Sequence, residues 1–191
     1  MYRALLRDAR FYEFELEVDR QRLAEARAEG CERCGGVLHS ADFRRKPRGG
    51  PAALGEDGDK RFSLCCAREG CRGRCTPPSL RFLGRKVYLG AVVVVVSAMR
   101  HGATPDRVRK LRDLLGVSRR TVERWRAWWR ETFAESPSWR IASAAFMPPV
   151  QTSLLPASAL ERFPGDDEAR LVGLLRLLGP ITGGAGIAPA H

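Results

Sequence analysis

A chain of 191 residues can bury a real core as one large or two small domains. Its 33 Lys and Arg against 22 Asp and Glu give a net charge of +11 and a pI near 10.1. The opening MYRALLRDAR lacks the apolar stretch of a secretory signal, and the longest apolar run, Val87 to Met99, is too short to span a bilayer. A soluble cytoplasmic protein with no membrane partner is therefore expected. The charge is also localised: residues 42 to 131 hold 22 basic and 9 acidic residues, a local net of +13, so the flanks together carry −2. A basic middle between near-neutral ends is the footprint of a region that binds a polyanion.

In residues 1–30, Tyr12, Phe14, Leu16 and Val18 alternate with polar positions, which suggests a strand. No turn residue interrupts the stretch before Gly30, however, and Leu5, Ala9, Tyr12, Leu16, Leu23 and Ala26 share a helical face. Length decides for a helix that packs on the next module.

All six cysteines lie between positions 31 and 75. Cys31-Glu-Arg-Cys34-Gly is a Cys-x-x-Cys turn, in which two thiolates aim at one ion while glycine relieves the backbone. A closed structural zinc site needs four ligands. The second cluster, Cys65-Cys66 to Cys71 to Cys75, lies about thirty residues on. The favoured set is Cys31, Cys34, Cys66 and Cys71, with Cys65 the rival for the third place and Cys75 for the fourth. His39 reads as an exposed strand residue. Clustered cysteines in an intracellular chain indicate metal binding rather than disulfides. A zinc ribbon of short β hairpins over 31–79 follows, stabilised by its metal. Between the two clusters, Arg44, Arg45, Lys46 and Arg48 sit in a Gly/Pro-broken loop and could grip phosphates. Arg61-Phe-Ser-Leu reads as the strand entering the second cluster.

Val87 to Met99, ending at His101-Gly102, carries five consecutive valines that favour a strand. Its length and its place before a helical pair favour a buried helix instead. That pair spans Thr104 to Phe133. Thr104 is the N-cap and Pro105 the first helical residue, and Val108, Leu111, Leu114 and Leu115 recur at helical spacing before Gly116 ends the run. Ser118 caps a second helix with Val122, Trp125 and Trp129 on its apolar stripe. A glycine turn between two amphipathic helices is the mark of a helix-turn-helix, whose second helix enters the DNA major groove. That helix presents Arg119, Arg120, Glu123 and Arg124 at its start. Arginine is the side chain best shaped for a bidentate contact with guanine. Ser118 and Thr121 can reach phosphates, and Arg126 and Arg130 are placed as backbone clamps.

Residues 136–191 are Pro-punctuated, with one good helix at about 167–178 and an end that reads as frayed. Its leucines suggest docking or dimerisation. The expected fold is mainly α: an N-terminal helix (1–30), the zinc ribbon (31–79), a three-helix helix-turn-helix domain (80–135) and a helical tail (136–191).

Cys31-x-x-Cys34-Gly, the second cluster entered through Arg61-Phe, Thr76-Pro-Pro, the apolar helix and Gly116-Val-Ser-Arg-Arg-Thr-Val-x-Arg-Trp together resemble one region of known proteins. It is the N-terminal zinc-ribbon plus helix-turn-helix region of insertion-sequence transposases, and the resemblance covers roughly residues 15–132. It implies recognition of a terminal repeat, or of an operator in a transposase-derived transcription regulator. A transposase's catalytic domain uses three carboxylates and Mg²⁺. Here the late acids are Glu135, Glu161, Asp166, Asp167 and Glu168, without the strand pattern such a domain needs. No transposase catalysis is expected from this chain, which leaves a homodimer or a separate catalytic subunit as partners besides double-stranded DNA. The alternative expectation is a zinc-stabilised scaffold that binds RNA or protein through its Trp-rich helix and C-terminal segment.

Overall fold

In the computed structural model, the described residues are 2, 4–51, 54–84, 86–99 and 104–183. The expected helix end at His101-Gly102 and most of the expected frayed terminus lie outside them. The protein is mainly α-helical with a few short antiparallel strands: α1 (Ala9–Glu29), β1 (Leu38–Ser40), β2 (Phe43–Arg44), β3 (Lys60–Arg61), β4 (Leu64–Cys66), β5 (Arg74–Cys75), α2 (Gly90–Ser97), α3 (Pro105–Leu115), α4 (Arg119–Ala127), α5 (Pro137–Ser143), α6 (Ala157–Leu160) and α7 (Asp167–Leu177). None of the described helices is long and apolar enough to cross a membrane.

The residues from Gly30 to Cys75 form two small sheets. One has the order β1-β4-β5, pairing Leu38 with Cys66 and Leu64 with Cys75; the other pairs β2 with β3. The expected strand from Arg61 is thus split in two. The cause lies at its middle, where the Ser63 N–H is taken by the Asp42 carboxylate at 2.9 Å. Arg61 turns inward and donates to the carbonyls of Pro77 and Thr182 at 2.6 and 2.8 Å.

The valine run is a helix, since burial on nearly every side overrides β propensity. Gly90 to Val94, Val96 and Ser97 of α2 are all buried. Around α2 gather Trp125 and Trp129, Trp139, and Leu171, Leu174, Leu175 and Leu178 at the end of the chain. The leucines of α7, expected to serve docking or dimerisation, pack inside the molecule, where α7 lies against α2 and α6. The terminal segment is part of the main core.

α1 spans two cores. Phe11 and Tyr12 enter the helical core, while Leu23 and Ala26 pack against the cysteine cluster. Its inward face differs from the expected one. Ala9 is exposed, and Glu15 and Asp19 are buried beside Phe11, Tyr12 and Leu16. Asp19 is satisfied by Ser79 Oγ at 2.5 Å, the Leu80 N–H at 2.7 Å and Arg81 Nε at 2.9 Å. Arg81 then donates to the carbonyls of Asp57, Gly58 and Lys60. One buried ion pair therefore ties α1 to residues 79–81 and, through Arg81, to residues 57–60. Glu15 is buried with both carboxyl oxygens unpartnered, so burial first and the Asp19 carboxylate second hold its pKa well above the usual range.

Candidate metal centre and basic face

The Sγ atoms of Cys31, Cys34, Cys66 and Cys71 all lie within 4.8 Å of one another. Cys31 and Cys71 are 3.7 Å apart and Cys34 and Cys66 3.5 Å, well beyond the ~2.05 Å of a disulfide. The first pair is set by a tight turn, in which the Cys34 and Gly35 N–H groups donate to the Cys31 carbonyl at 3.1 and 2.7 Å. The second pair is brought over by the sheet. The β1-β4 register sets Cys66 opposite Leu38, close behind that turn, and a bend from Arg68 returns Cys71.

Gly36 is favoured by close approach rather than by its dihedrals. A Cβ there would stand 3.2 Å from Cys66 Sγ and 3.3 Å from Cys34 Sγ. The Arg68 N–H donates to Cys66 Sγ at 3.4 Å, a contact that favours thiolate. Backbone N–H bonds, foremost that of Arg33, bring the Cys31 thiol down to about 7. At Cys66 the Arg68 N–H pulls the same way, but burial and the neighbouring thiols outweigh it and raise the pKa. Four sulfurs this close cannot all ionise without a cation between them. The cluster can hold one metal ion.

Cys65 and Cys75, the rival ligands, stay outside the cluster. Cys65 Sγ contacts the carbonyls of Cys66 and Arg72 at 3.8 and 3.7 Å, because it is on the opposite face of β4 from Cys66. Cys75 pairs across from Leu64 on β5. His39 is an exposed strand residue on β1, one register position away from Cys66's partner.

The helix pair forms much as its residues suggest. Gly116 ends α3 at φ +65°, a conformation other residues rarely adopt, and Ser118 Oγ accepts the Thr121 N–H at 3.3 Å to start α4. Thr104 stands at the cap of α3, but its side chain makes no capping bond. Val117, Val122, Trp125 and Trp129 are fully buried, whereas no residue of α3 is. Past Ala127, α4 continues as a π-helical stretch, Trp128–Phe133.

The basic residues at this helix divide into two groups. Arg120 and Arg124 are exposed, and neither has a carboxylate in ion-pair range among the described residues. Arg119 pairs with Glu123 at 2.8 Å across one turn, and both are exposed. Thr121 Oγ1 is 3.0 Å from Ser118 Oγ. Arg126 is half-buried and donates to the Met99 carbonyl, and Arg130 donates to the Arg126 carbonyl at 3.3 Å. Those two guanidiniums lie at the far end of the helix, beside Ser97 and Leu154.

The loop arginines divide likewise. Arg45 donates to the carbonyls of Gly84 and Lys86 at 2.7 and 3.0 Å and lies over the Phe82 ring, so it serves the fold. Arg44 is exposed and paired with Asp59 at 2.8 Å, and Lys46 is exposed. Arg48 is exposed, and its backbone pairs with Val87 and Leu89. This strip leads directly to α4, because the Tyr88 hydroxyl donates to the Gly116 carbonyl at 2.7 Å and its ring packs on Trp125. The loop cations and the start of α4 therefore lie along one connected strip of chain. Sequence reasoning missed Lys86 in that strip, because nothing local distinguishes it from other surface lysines.

The late carboxylates are dispersed in role. Asp166 caps α7 by accepting the Ala169 N–H at 2.9 Å, and Glu135 lies 3.7 Å from Arg140. Fold and site define a mainly helical protein with a four-cysteine cluster that can hold a metal. No protein-family model matches the chain, and no curated protein or solved structure matches it either.

Proposed function

We propose that the protein is a zinc-containing, duplex-DNA-binding protein that reads its site with the helix beginning at Ser118. The observation that carries this reading is the pair Arg120 and Arg124. Two uncompensated guanidiniums one turn apart at the exposed start of a helix are suited to base edges in the major groove, each bidentate contact giving ~1–3 kcal/mol of discrimination. In this reading α3, the Gly116 turn and α4 are a helix-turn-helix, and Arg44, Lys46 and Arg48 hold flanking phosphates. Arg45 and Arg126, engaged with carbonyls, take no part.

Zinc is the ion that the donor set favours. Tetrahedral thiolate coordination at ~2.3 Å places sulfurs about 3.8 Å apart, close to the 3.5 and 3.7 Å separations of the two pairs. Four thiolates close the coordination shell, so the metal's part is to fold a zinc ribbon and not to bind substrate. On this reading the chain is kin to the transposase N-terminal regions that its sequence resembles. It is a reader of DNA, working beside a catalytic subunit or as a regulator, rather than an enzyme.

The scaffold reading has less behind it. Of the residues that reading would dock through, Leu171 is buried in the core, whereas Trp128 is half-buried beside an open groove. The DNA reading is tested by fluorescence anisotropy on zinc-loaded protein with duplex DNA over a salt series. Affinity should fall steeply with salt as counterions are released. Arg120→Ala or Arg124→Ala should flatten sequence preference, and Lys46→Ala should weaken all duplexes alike. Binding that is absent, or indifferent to salt, would sink the proposal.

A further inference from the structure

Lys86 stands in an unusual setting. Its Nζ lies 3.6 Å from the centroid of the Trp128 ring. With Val87, Tyr88, Arg124 and Trp125 it lines an open groove of about 390 Å³ beside α4. Lys86 and Arg124 converge there without a carboxylate in ion-pair range among the described residues. A third cation, Arg45, holds the Lys86 carbonyl from behind. Burial, with Arg124 second, pulls the Lys86 ammonium down to about 8, as expected of a cation short of a counter-charge. The indole face fixes the ammonium in place through a cation–π contact. A preset cation loses little entropy when an anion arrives.

The groove also has a defined position relative to the arginines of α4. Arg120, Arg124 and Trp128 follow one another at four-residue steps, so they share one helix face. At ~1.5 Å of rise per residue, Trp128 lies about 12 Å along the axis from Arg120. The major groove is itself ~12 Å wide. With Arg120 at the base edges, the other end of the row meets the sugar-phosphate chain that walls the groove.

We propose that the groove between Lys86 and Trp128, beside Arg124, is a phosphodiester subsite for duplex DNA, in which the Lys86 ammonium grips one backbone phosphate and the Trp128 ring holds it in position. This rests on the DNA-binding reading and adds to it a residue that no motif marks. Lys86 positions the helix in the groove, and the arginines read the bases.

The test uses the zinc-loaded full chain and random-sequence duplex, comparing wild type, Lys86→Met and Lys86→Arg over a salt series. Methionine keeps the apolar stem against Trp128 and removes the charge, and zinc content and helicity report on folding. The Met variant should bind every duplex roughly fivefold to tenfold more weakly, and its plot of log affinity against log salt should be shallower by about one unit. The Arg variant should keep the wild-type slope. Should Lys86→Met fold poorly, Lys86→Gln supplies the same comparison. A charge-free variant with wild-type affinity and slope overturns the subsite alone. A wild type that binds no duplex, or that prefers single-stranded RNA, overturns the subsite together with the reading beneath it.

Discussion

Between Cys31 and Cys75 a separate cluster of buried residues consists of Cys31, Leu38, Leu64 and Cys66. The helical core, by contrast, runs from Leu6 to Leu178 and gathers Trp125, Trp129, Trp139, the valines of α2 and the leucines of α7. Ordering a segment costs about 1–2 kcal/mol per residue in backbone entropy. Four side chains at about 1.5–3 kcal/mol each cannot offset that over the length of the cysteine region. The helical core has side chains enough of its own. With a metal in the candidate centre, the chain would be held by two means, coordination at one end and packing at the other, with α1 and the Asp19–Arg81 pair as the joint.

The largest effect should come from the metal. Structural zinc contributes about 10–16 kcal/mol of apparent binding energy in small modules. Chelation, or Cys66→Ser, should therefore expose the amides of residues 31–75 to hydrogen exchange while those of α2, α4 and α7 stay protected. Loss of protection throughout the chain would mean that the two regions are one cooperative unit.

Next comes the joint. Asp19→Ala leaves the Arg81 guanidinium, 2% exposed, without its carboxylate, and should cost about 3–5 kcal/mol in urea unfolding. Both regions should loosen together. Trp129→Ala should cost a similar ~3–5 kcal/mol, but with zinc stoichiometry unchanged, because Trp129 packs only in the helical core.

A smaller effect of opposite sign is expected at Glu15. Its pKa is raised in the fold, so folding takes up a proton there. That contribution is fully present below pH 4.5, the usual glutamate value, and is lost as pH rises through the raised one. Glu15→Met should remove this pH dependence and stabilise the protein at neutral pH by about 1–3 kcal/mol in thermal or urea unfolding. The least effect concerns binding. Lys86 loses charge as pH passes about 8, so duplex affinity should weaken between about pH 7 and 9 in the wild type and not in Lys86→Met.

Which parts of this could be read from the sequence follows from the range of the interactions. The Cys31–Cys34 turn, the Gly116-Val-Ser turn and the Ser118 cap depend on neighbours within a few residues, and their chemistry shows in the letters. The helix over the valine run was legible from its length despite its propensity. The choice of Cys66 over Cys65 needed strand register, because adjacent residues on a strand face opposite sides. The inward Glu15 and Asp19 were hidden, since Asp19 meets Ser79 and Arg81 about sixty positions away. Arg45 and Arg126 read like Arg44 and Arg124, and only the fold reveals which guanidiniums are engaged by distant carbonyls. The leucines of α7 suggested a partner because α2, their partner in the core, lies some eighty positions earlier.

The central proposal is that α4 reads bases, braced by a metal-held basic segment. Selection from a random duplex library on zinc-loaded protein tests this most directly. One enriched sequence is expected, with the enrichment lost in Arg120→Ala or Arg124→Ala and on metal removal. A library that emerges without enrichment from zinc-loaded wild type would contradict it.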